Sequence, residues 1–192
     1  MKSTKSSPTK AVATRGERGP STRRGQRPRL QERLKTIRCL LLDVDGVLTD
    51  GKLYFDAQGR EFKAFDAQDG HGIALARRAG LRVGLVTGRR TPATRQRAKE
   101  LRVDIFVEGP IDKGRAVQQV IKRHRLHREQ ICFVGDDLQD LAAFERAGLA
   151  VAVANAVPEV KRAAHYVTKR AGGNGAVREV VELLLKAQGL WK

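Results

Sequence analysis

The chain has 192 residues, with 38 Lys/Arg against 21 Asp/Glu and a formal net charge of +17. That length suits one domain with a substantial core. Two cysteines, Cys39 and Cys132, exclude a disulfide framework or a zinc cluster. No apolar run is long enough for a membrane span, so the expectation is a cytoplasmic protein with no membrane partner.

The charge is uneven along the chain. Residues 1–38 carry 12 basic and 2 acidic residues, so more than half of the net charge lies in the opening fifth. Rich in Ser, Thr, Gly, Pro and Arg, this segment has too little apolar surface to offset its conformational entropy. Residues 1–36 therefore read as a disordered basic tail. Nucleic acid is a conceivable partner only through this tail, and the lack of interleaved aromatic residues weighs towards a solvated extension.

From residue 37 onward, short apolar runs alternate with segments of helical period. The runs are IRCLLLDVD (37–45), LRVGLVTG (81–88), VDIFVEG (103–109), QICFVGDD (130–137), LAVAVAN (149–155) and HYVT (165–168). Between them lie GIALARRAG, TPATRQRAKEL, KGRAVQQVIKRHR and LQDLAAFERAG, and GAVREVVELLLKAQG closes the chain. Pro92 suits a first helical position, and Gly80 and Gly148 fall where helices stop. Strand–helix alternation with unbroken apolar strands predicts an α/β fold, a parallel sheet covered on both faces, over residues 37–190. Residues 51–65, GKLYFDAQGREFKAF, break the alternation and read as a β-hairpin inserted after the first strand, too small for a second domain.

Carboxylates cluster where apolar runs end. Asp43 and Asp45 end the first run, and Asp136, Asp137 and Asp140 end the QICFVGDD run. Thr87 and Arg89 end a third, and Lys113 opens a helix. In an open parallel sheet ligands bind beyond the carboxyl ends of the strands. Converging carboxylates repel one another unless a cation joins them, and an oxygen-only donor set points to a hard divalent ion such as Mg²⁺. A hydroxyl, a lysine and backbone amides beside that ion complement a phosphoryl group, so the constellation reads as a phosphoryl-transfer site.

In this order, DVDGVLTDG, VTGR, Lys113 and GDDLQD resemble the four motifs of the haloacid dehalogenase superfamily of phosphatases. KAFDAQDGHGI, TGRRTPATRQRA, AHYVT and GGNGAVREVVELLLKAQG extend the resemblance to its branch acting on 3-deoxy-D-manno-octulosonate 8-phosphate, over roughly residues 37–190. The resemblance implies a three-layer Rossmann-like fold without a large cap domain. It makes Asp43 the nucleophile and Asp45 the general acid and base. It has Thr87 and Lys113 binding phosphoryl oxygens, with Mg²⁺ on Asp43, the carbonyl of Asp45 and Asp136. Asp137 and Asp140 are expected behind these, orienting waters or Lys113. Asp45, Asp66, Ala67, Gln68, Asp69, Gly70, Arg89, Arg97 and Lys113 are expected to meet the substrate.

The resemblance also implies a homotetramer. A phosphatase site without a cap needs a lid and the hairpin is too small to close its own, so hairpins of several subunits are expected to assemble and a neighbour to roof each site, with the glycines of GGNG letting the C-terminal segment approach that neighbour. Two departures stand out. Asp66 replaces an expected asparagine and Asp112 an expected small polar residue, each adding negative charge near an anionic substrate. A related nonulosonic acid 9-phosphate or another small phosphorylated metabolite stays open as substrate. So do two further functions: a non-catalytic assembly module, and a nucleic-acid-associated phosphatase recruited by the tail.

Overall fold

The computed structural model describes Met1, residues 29–109 and residues 112–191; most of the basic tail lies outside the described residues. In chain order the elements are α1 (Leu30–Thr36), β1 (Cys39–Leu42), β2 (Tyr54–Phe55), β3 (Glu61–Phe62), α2 (Ala67–Arg78) and β4 (Arg82–Thr87). They continue with α3 (Pro92–Leu101), β5 (Ile105–Glu108), α4 (Lys113–His124), β6 (Ile131–Gly135) and α5 (Leu141–Phe144). β7 (Leu149–Ala152), α6 (Pro158–Ala163), β8 (Tyr166–Val167) and α7 (Ala176–Ala187) complete the chain.

Six strands form one parallel sheet in the order β5-β4-β1-β6-β7-β8. From β1 the chain steps outward to β4 and β5, then returns to β6 on the other side of β1. The point of reversal, between β1 and β6, is where such sheets open a crevice at their carboxyl ends. β1 is Cys-Leu-Leu-Leu and wholly buried, as a central strand covered on both faces must be. Helices α1, α2 and α7 pack together on one face, and α4, α5 and α6 on the other. Cys39 and Cys132 sit on the paired strands β1 and β6 as free thiols, and burial raises the pKa of both, so neither is a thiolate.

The inserted hairpin is present, with Tyr54 opposite Phe62 and their rings stacked at 5.5 Å. Asp56 organises its turn, accepting from the amides of Gln58 and Arg60. Among the described residues no helix is long and apolar enough to cross a membrane.

Three expectations change. The tail does not run to residue 36: α1 starts at Leu30, buries Leu34 and packs on α7, because its apolar side chains find a ready surface there. The segment after β6 is not one long helix. A 3-10 turn, Leu138–Asp140, precedes the short α5, because Asp140 turns its carboxylate back onto the amides of Asp136 and Asp137. The glycines of GGNG do not free the C-terminal segment. A Cβ on Gly172 would lie 1.7 Å from the Gly46 carbonyl and one on Gly173 2.5 Å from the Asp50 amide, so both positions lock that segment onto the loop after β1.

Gly175, the residue before α7, is in a left-handed conformation and gives the helix no side-chain cap. Asp69, on α2 and with no exposed surface, supplies it: its carboxylate accepts from Gly175 N at 3.2 Å and Arg178 N at 2.7 Å. Burial pushes the Asp69 pKa up to about 6. Two buried amides lose their acceptor in Asp69→Ala, which lowers unfolding free energy by about 2–4 kcal/mol. Urea unfolding monitored by circular dichroism measures this, and Asp69→Asn, which keeps one oxygen acceptor, loses less.

Candidate active site

β1 delivers Asp43 and Asp45 to the crevice because the chain leaves the strand in a tight turn. The amides of Val47, Leu48 and Thr49 all point to the Val44 carbonyl at 2.9–3.3 Å. Gly46 has φ +88°, and a Cβ there would lie 2.0 Å from an Asp136 oxygen, so a glycine is required on both counts. β6 delivers Asp136 from the neighbouring strand.

Lys113, the first residue of α4, lies between the two strand ends and is 1 % exposed. Its ammonium is 2.9 Å from Asp43 Oδ1 and 2.6 Å from Asp140 Oδ1. Burial alone would lower its pKa, but the two carboxylates outweigh that and hold the lysine charged. Burial first, and then the Asp140 charge, raise the pKa of Asp43 well above the ordinary carboxylate range. The same two causes push Asp136 up to about 6.

Oxygens of Asp43, Asp136 and Asp140 lie within 4.8 Å of one another. Asp140 is fully engaged, one oxygen on Lys113 and the other accepting from the amides of Asp136 (2.9 Å) and Asp137 (3.2 Å). By contrast, Asp43 Oδ2 and Asp136 Oδ1 are buried with no hydrogen-bond partner. The Asp45 carbonyl accepts no backbone hydrogen bond among the described residues. This donor set, oxygen-only and short of positive charge, fits a hard divalent cation.

The other sequence-predicted residues divide. Thr87, buried at the end of β4, holds its hydroxyl against its own turn, accepting from Arg89 N at 3.2 Å. Arg89 pairs with Glu61 of the hairpin at 2.8 Å. The Asp45 carboxylate pairs through Oδ1 with Lys63, just beyond β3. Asp140 is buried against the Lys113 ammonium, whereas Asp137 is exposed and accepts from the Leu138 amide at its own 3-10 turn.

In the 66–70 stretch, Ala67 and Gln68 are exposed, and Gln68 accepts from Arg170. Asp69 is not free to meet substrate, because both its oxygens cap α7. Gly70 is buried, leaving room for the Arg97 guanidinium, 2.4 Å from where its Cβ would be. Arg97 braces this corner, stacking on Phe65 and bonding the Asp66 carbonyl and Glu100. The two unexpected acids are helix caps. Asp66 accepts from Asp69 N at 2.9 Å at the start of α2, and Asp112 from Gly114 N at 2.8 Å at the start of α4.

Three residues escaped the sequence reading. Asn155, in the loop after β7, donates to the Gly46 carbonyl at 3.1 Å and accepts from Gly172 N at 2.6 Å, tying GGNG to the Asp43 loop. Its signal was its place at the end of an apolar run. Glu61 and Lys63 were signalled by period-2 alternation in EFKAF, which puts them on one face with Phe65.

The haloacid dehalogenase-like hydrolase family matches residues 106–180. A 3-deoxy-D-manno-octulosonate 8-phosphate phosphatase, KdsC, of Salmonella typhimurium is 42 % identical over 162 residues, 84 % of this chain and 86 % of its own. The crystal structure of the phosphatase of that name from Yersinia pestis is 41 % identical with a TM-score of 0.82, covering 84 % of this chain and 87 % of its own. The Moraxella catarrhalis phosphatase, solved with a magnesium ion, a phosphate ion and KDO, is 38 % identical with a TM-score of 0.81, covering 83 % and 91 %. With the carboxylates and the buried lysine held together in the crevice, and with relatives this similar over most of the fold, the chain belongs to the haloacid dehalogenase superfamily, in its family of 3-deoxy-D-manno-octulosonate 8-phosphate phosphatases.

Proposed function

We propose that the protein hydrolyses 3-deoxy-D-manno-octulosonate 8-phosphate to the free sugar acid and inorganic phosphate, with Mg²⁺ as cofactor and an aspartyl phosphate as intermediate. The observation that carries this reading is the pair of buried, unpartnered oxygens, Asp43 Oδ2 and Asp136 Oδ1, beside a buried lysine. Relatives similar over most of the chain carry the substrate's name, and one is described with Mg²⁺, phosphate and the sugar acid bound.

Asp43 attacks phosphorus in line. A bond forms between its oxygen and phosphorus while the bond from phosphorus to the sugar oxygen breaks. The electron pair of that bond leaves on the sugar oxygen, which takes a proton from Asp45. Asp45, now ionised, removes a proton from water, the water oxygen bonds to phosphorus, and Asp43 departs with its electron pair. Lys113 and the Thr87 hydroxyl hold phosphoryl oxygens. Held by Asp43, the Asp45 carbonyl and Asp136, Mg²⁺ supplies the charge that lets these groups share the crevice with a phosphate. Asp140 keeps Lys113 aimed at the site. Arg89 is the residue suited to the carboxylate of the sugar acid.

Phosphate release from a panel of sugar phosphates, with Mg²⁺ or EDTA, tests the reading. The expected result is a Mg²⁺-dependent rate highest on the 8-phosphate, with Asp43→Asn slower by on the order of 10⁴ or more. A nonulosonic acid 9-phosphate as the best substrate would move the specificity, and near-wild-type turnover by Asp43→Asn would remove the nucleophile.

The metal site has a pH signature. In the cation-free protein Asp136 titrates at about 6 and Asp43 above its ordinary value, so protons compete with Mg²⁺ below that range. Apparent Mg²⁺ affinity, measured by calorimetric titration, falls as pH drops through about 6. Constant affinity from pH 5 to 8 would contradict the assignment.

The assembly belongs to the same reading: a homotetramer in which hairpins meet and a neighbour roofs each site. Leu53, Phe55 and Phe62 of the hairpin are each about half exposed, an apolar surface that favours a second hairpin over water. A paired Phe55→Ser and Phe62→Ser replacement is expected to give smaller species in light scattering, with turnover lost alongside. A wild-type monomer with full activity would refute the assembly.

A further inference from the structure

We infer that Lys63 is a positioning residue for Asp45, fixing the carboxylate so that its other oxygen faces the departing sugar oxygen. The inference rests on the reading of Asp45 as the acid that protonates that oxygen.

Lys63 follows β3, where the extended chain turns Glu61, Lys63 and Phe65 inward and leaves Phe62 and Ala64 exposed. Its side chain is 2 % exposed, and its ammonium pairs with Asp45 Oδ1 and lies 3.4 Å from Glu61 Oε1. The second oxygen of Glu61 holds Arg89 at 2.8 Å. The result is a row of alternating charges, Asp45, Lys63, Glu61 and Arg89, running from the loop after β1 through the hairpin to the loop after β4.

Stability alone does not account for this lysine. Burying an ammonium costs several kcal/mol before its partners offset it, so a buried ion pair is weak evidence of a purely stabilising role. The charge does one thing an apolar residue cannot. The backbone at Asp45 is already fixed by the turn onto the Val44 carbonyl and by Gly46 N donating to Thr49 Oγ1 at 3.2 Å. The freedom left is rotation of the Asp45 side chain, which is 23 % exposed. Lys63 removes it by holding Oδ1, while Oδ2 makes no hydrogen bond among the described residues. Proton transfer needs a donor within hydrogen-bond reach of the acceptor, and one preferred rotamer in place of three supplies it. The anchor lies in the hairpin, so the insert contributes to the chemistry of its own subunit.

Leaving-group dependence separates positioning from mere support. A sugar alkoxide needs a proton to depart, and p-nitrophenolate does not. Lys63→Met keeps the stem and removes the charge. It is expected to lower kcat on a sugar phosphate by roughly 10- to 100-fold, while p-nitrophenyl phosphate loses clearly less and KM for the sugar changes little. Asp45→Asn, measured in parallel, is expected to show the same asymmetry more strongly. Equal losses on both substrates, or a raised KM alone, would overturn the role of Lys63 while the Asp45 asymmetry stands. If Asp45→Asn shows no asymmetry, the acid itself is misassigned and the inference falls with it. Should Lys63→Met lack the wild-type circular dichroism spectrum, Glu61→Gln decides. Loosening the anchor of Lys63 is expected to give the same asymmetry at smaller size, and equal losses on both substrates would overturn the inference.

Discussion

Everything at the crevice depends on the ion pairs of Lys113. Two strands end side by side and each brings carboxylates to the same few ångströms, an arrangement that like-charge repulsion forbids without compensation. One buried ammonium, held 2.9 Å from Asp43 and 2.6 Å from Asp140, meets part of that requirement. It also determines what remains. By occupying one oxygen of Asp43 and one of Asp140, it leaves the unpartnered Asp43 and Asp136 oxygens as the place where further positive charge belongs. The tight turn before α5 and the capped start of α4 follow from the same need, since each aims a partner of this ion pair.

The fold and the centre of the site were legible in the sequence because each rests on local pattern. Unbroken apolar runs such as CLLL can only be strands covered on both faces, and an aspartate following such a run must lie at its end. What was not legible depended on which distant segments touch. Nothing in the sequence near Asp69 shows that its carboxylate caps a helix more than a hundred residues later, and the family resemblance alone points to a substrate contact. From the sequence Asp66 and Asp112 read as extra charge beside an anionic substrate; in the structure each caps a helix start, where a negative group meets the positive end of the peptide dipoles. Asp137 and Asp140 looked equivalent in GDDLQD, yet one faces solvent and the other is buried. The boundary of α1 was missed because a few apolar residues in a basic segment look insufficient until α7 is there to receive them.

The hairpin illustrates the same limit differently. Its alternation was visible, but the sequence could not say whether its inward face met the core, a neighbour or the site. It meets the site, through Lys63 on Asp45 and Glu61 on Arg89. The outward face keeps Phe55 and Phe62 in contact with solvent in the single chain. One short insert therefore has two faces with different tasks.

The packing of Gly172 and Gly173 on the Gly46 loop has a consequence for biosynthesis. Contacts between segments so far apart in the chain form late, after loop closure has been accomplished elsewhere. A nascent chain that has emerged only as far as α5 already contains Asp43, Asp45, Lys113, Asp136 and Asp140, but it lacks the segment that braces the loop after β1 and the helix that Asp69 caps. Completion of the hydrolase thus waits until the GGNG segment and α7 have been made, and a chain that stops before them retains the carboxylates and Lys113 without the packing that holds their loop in place.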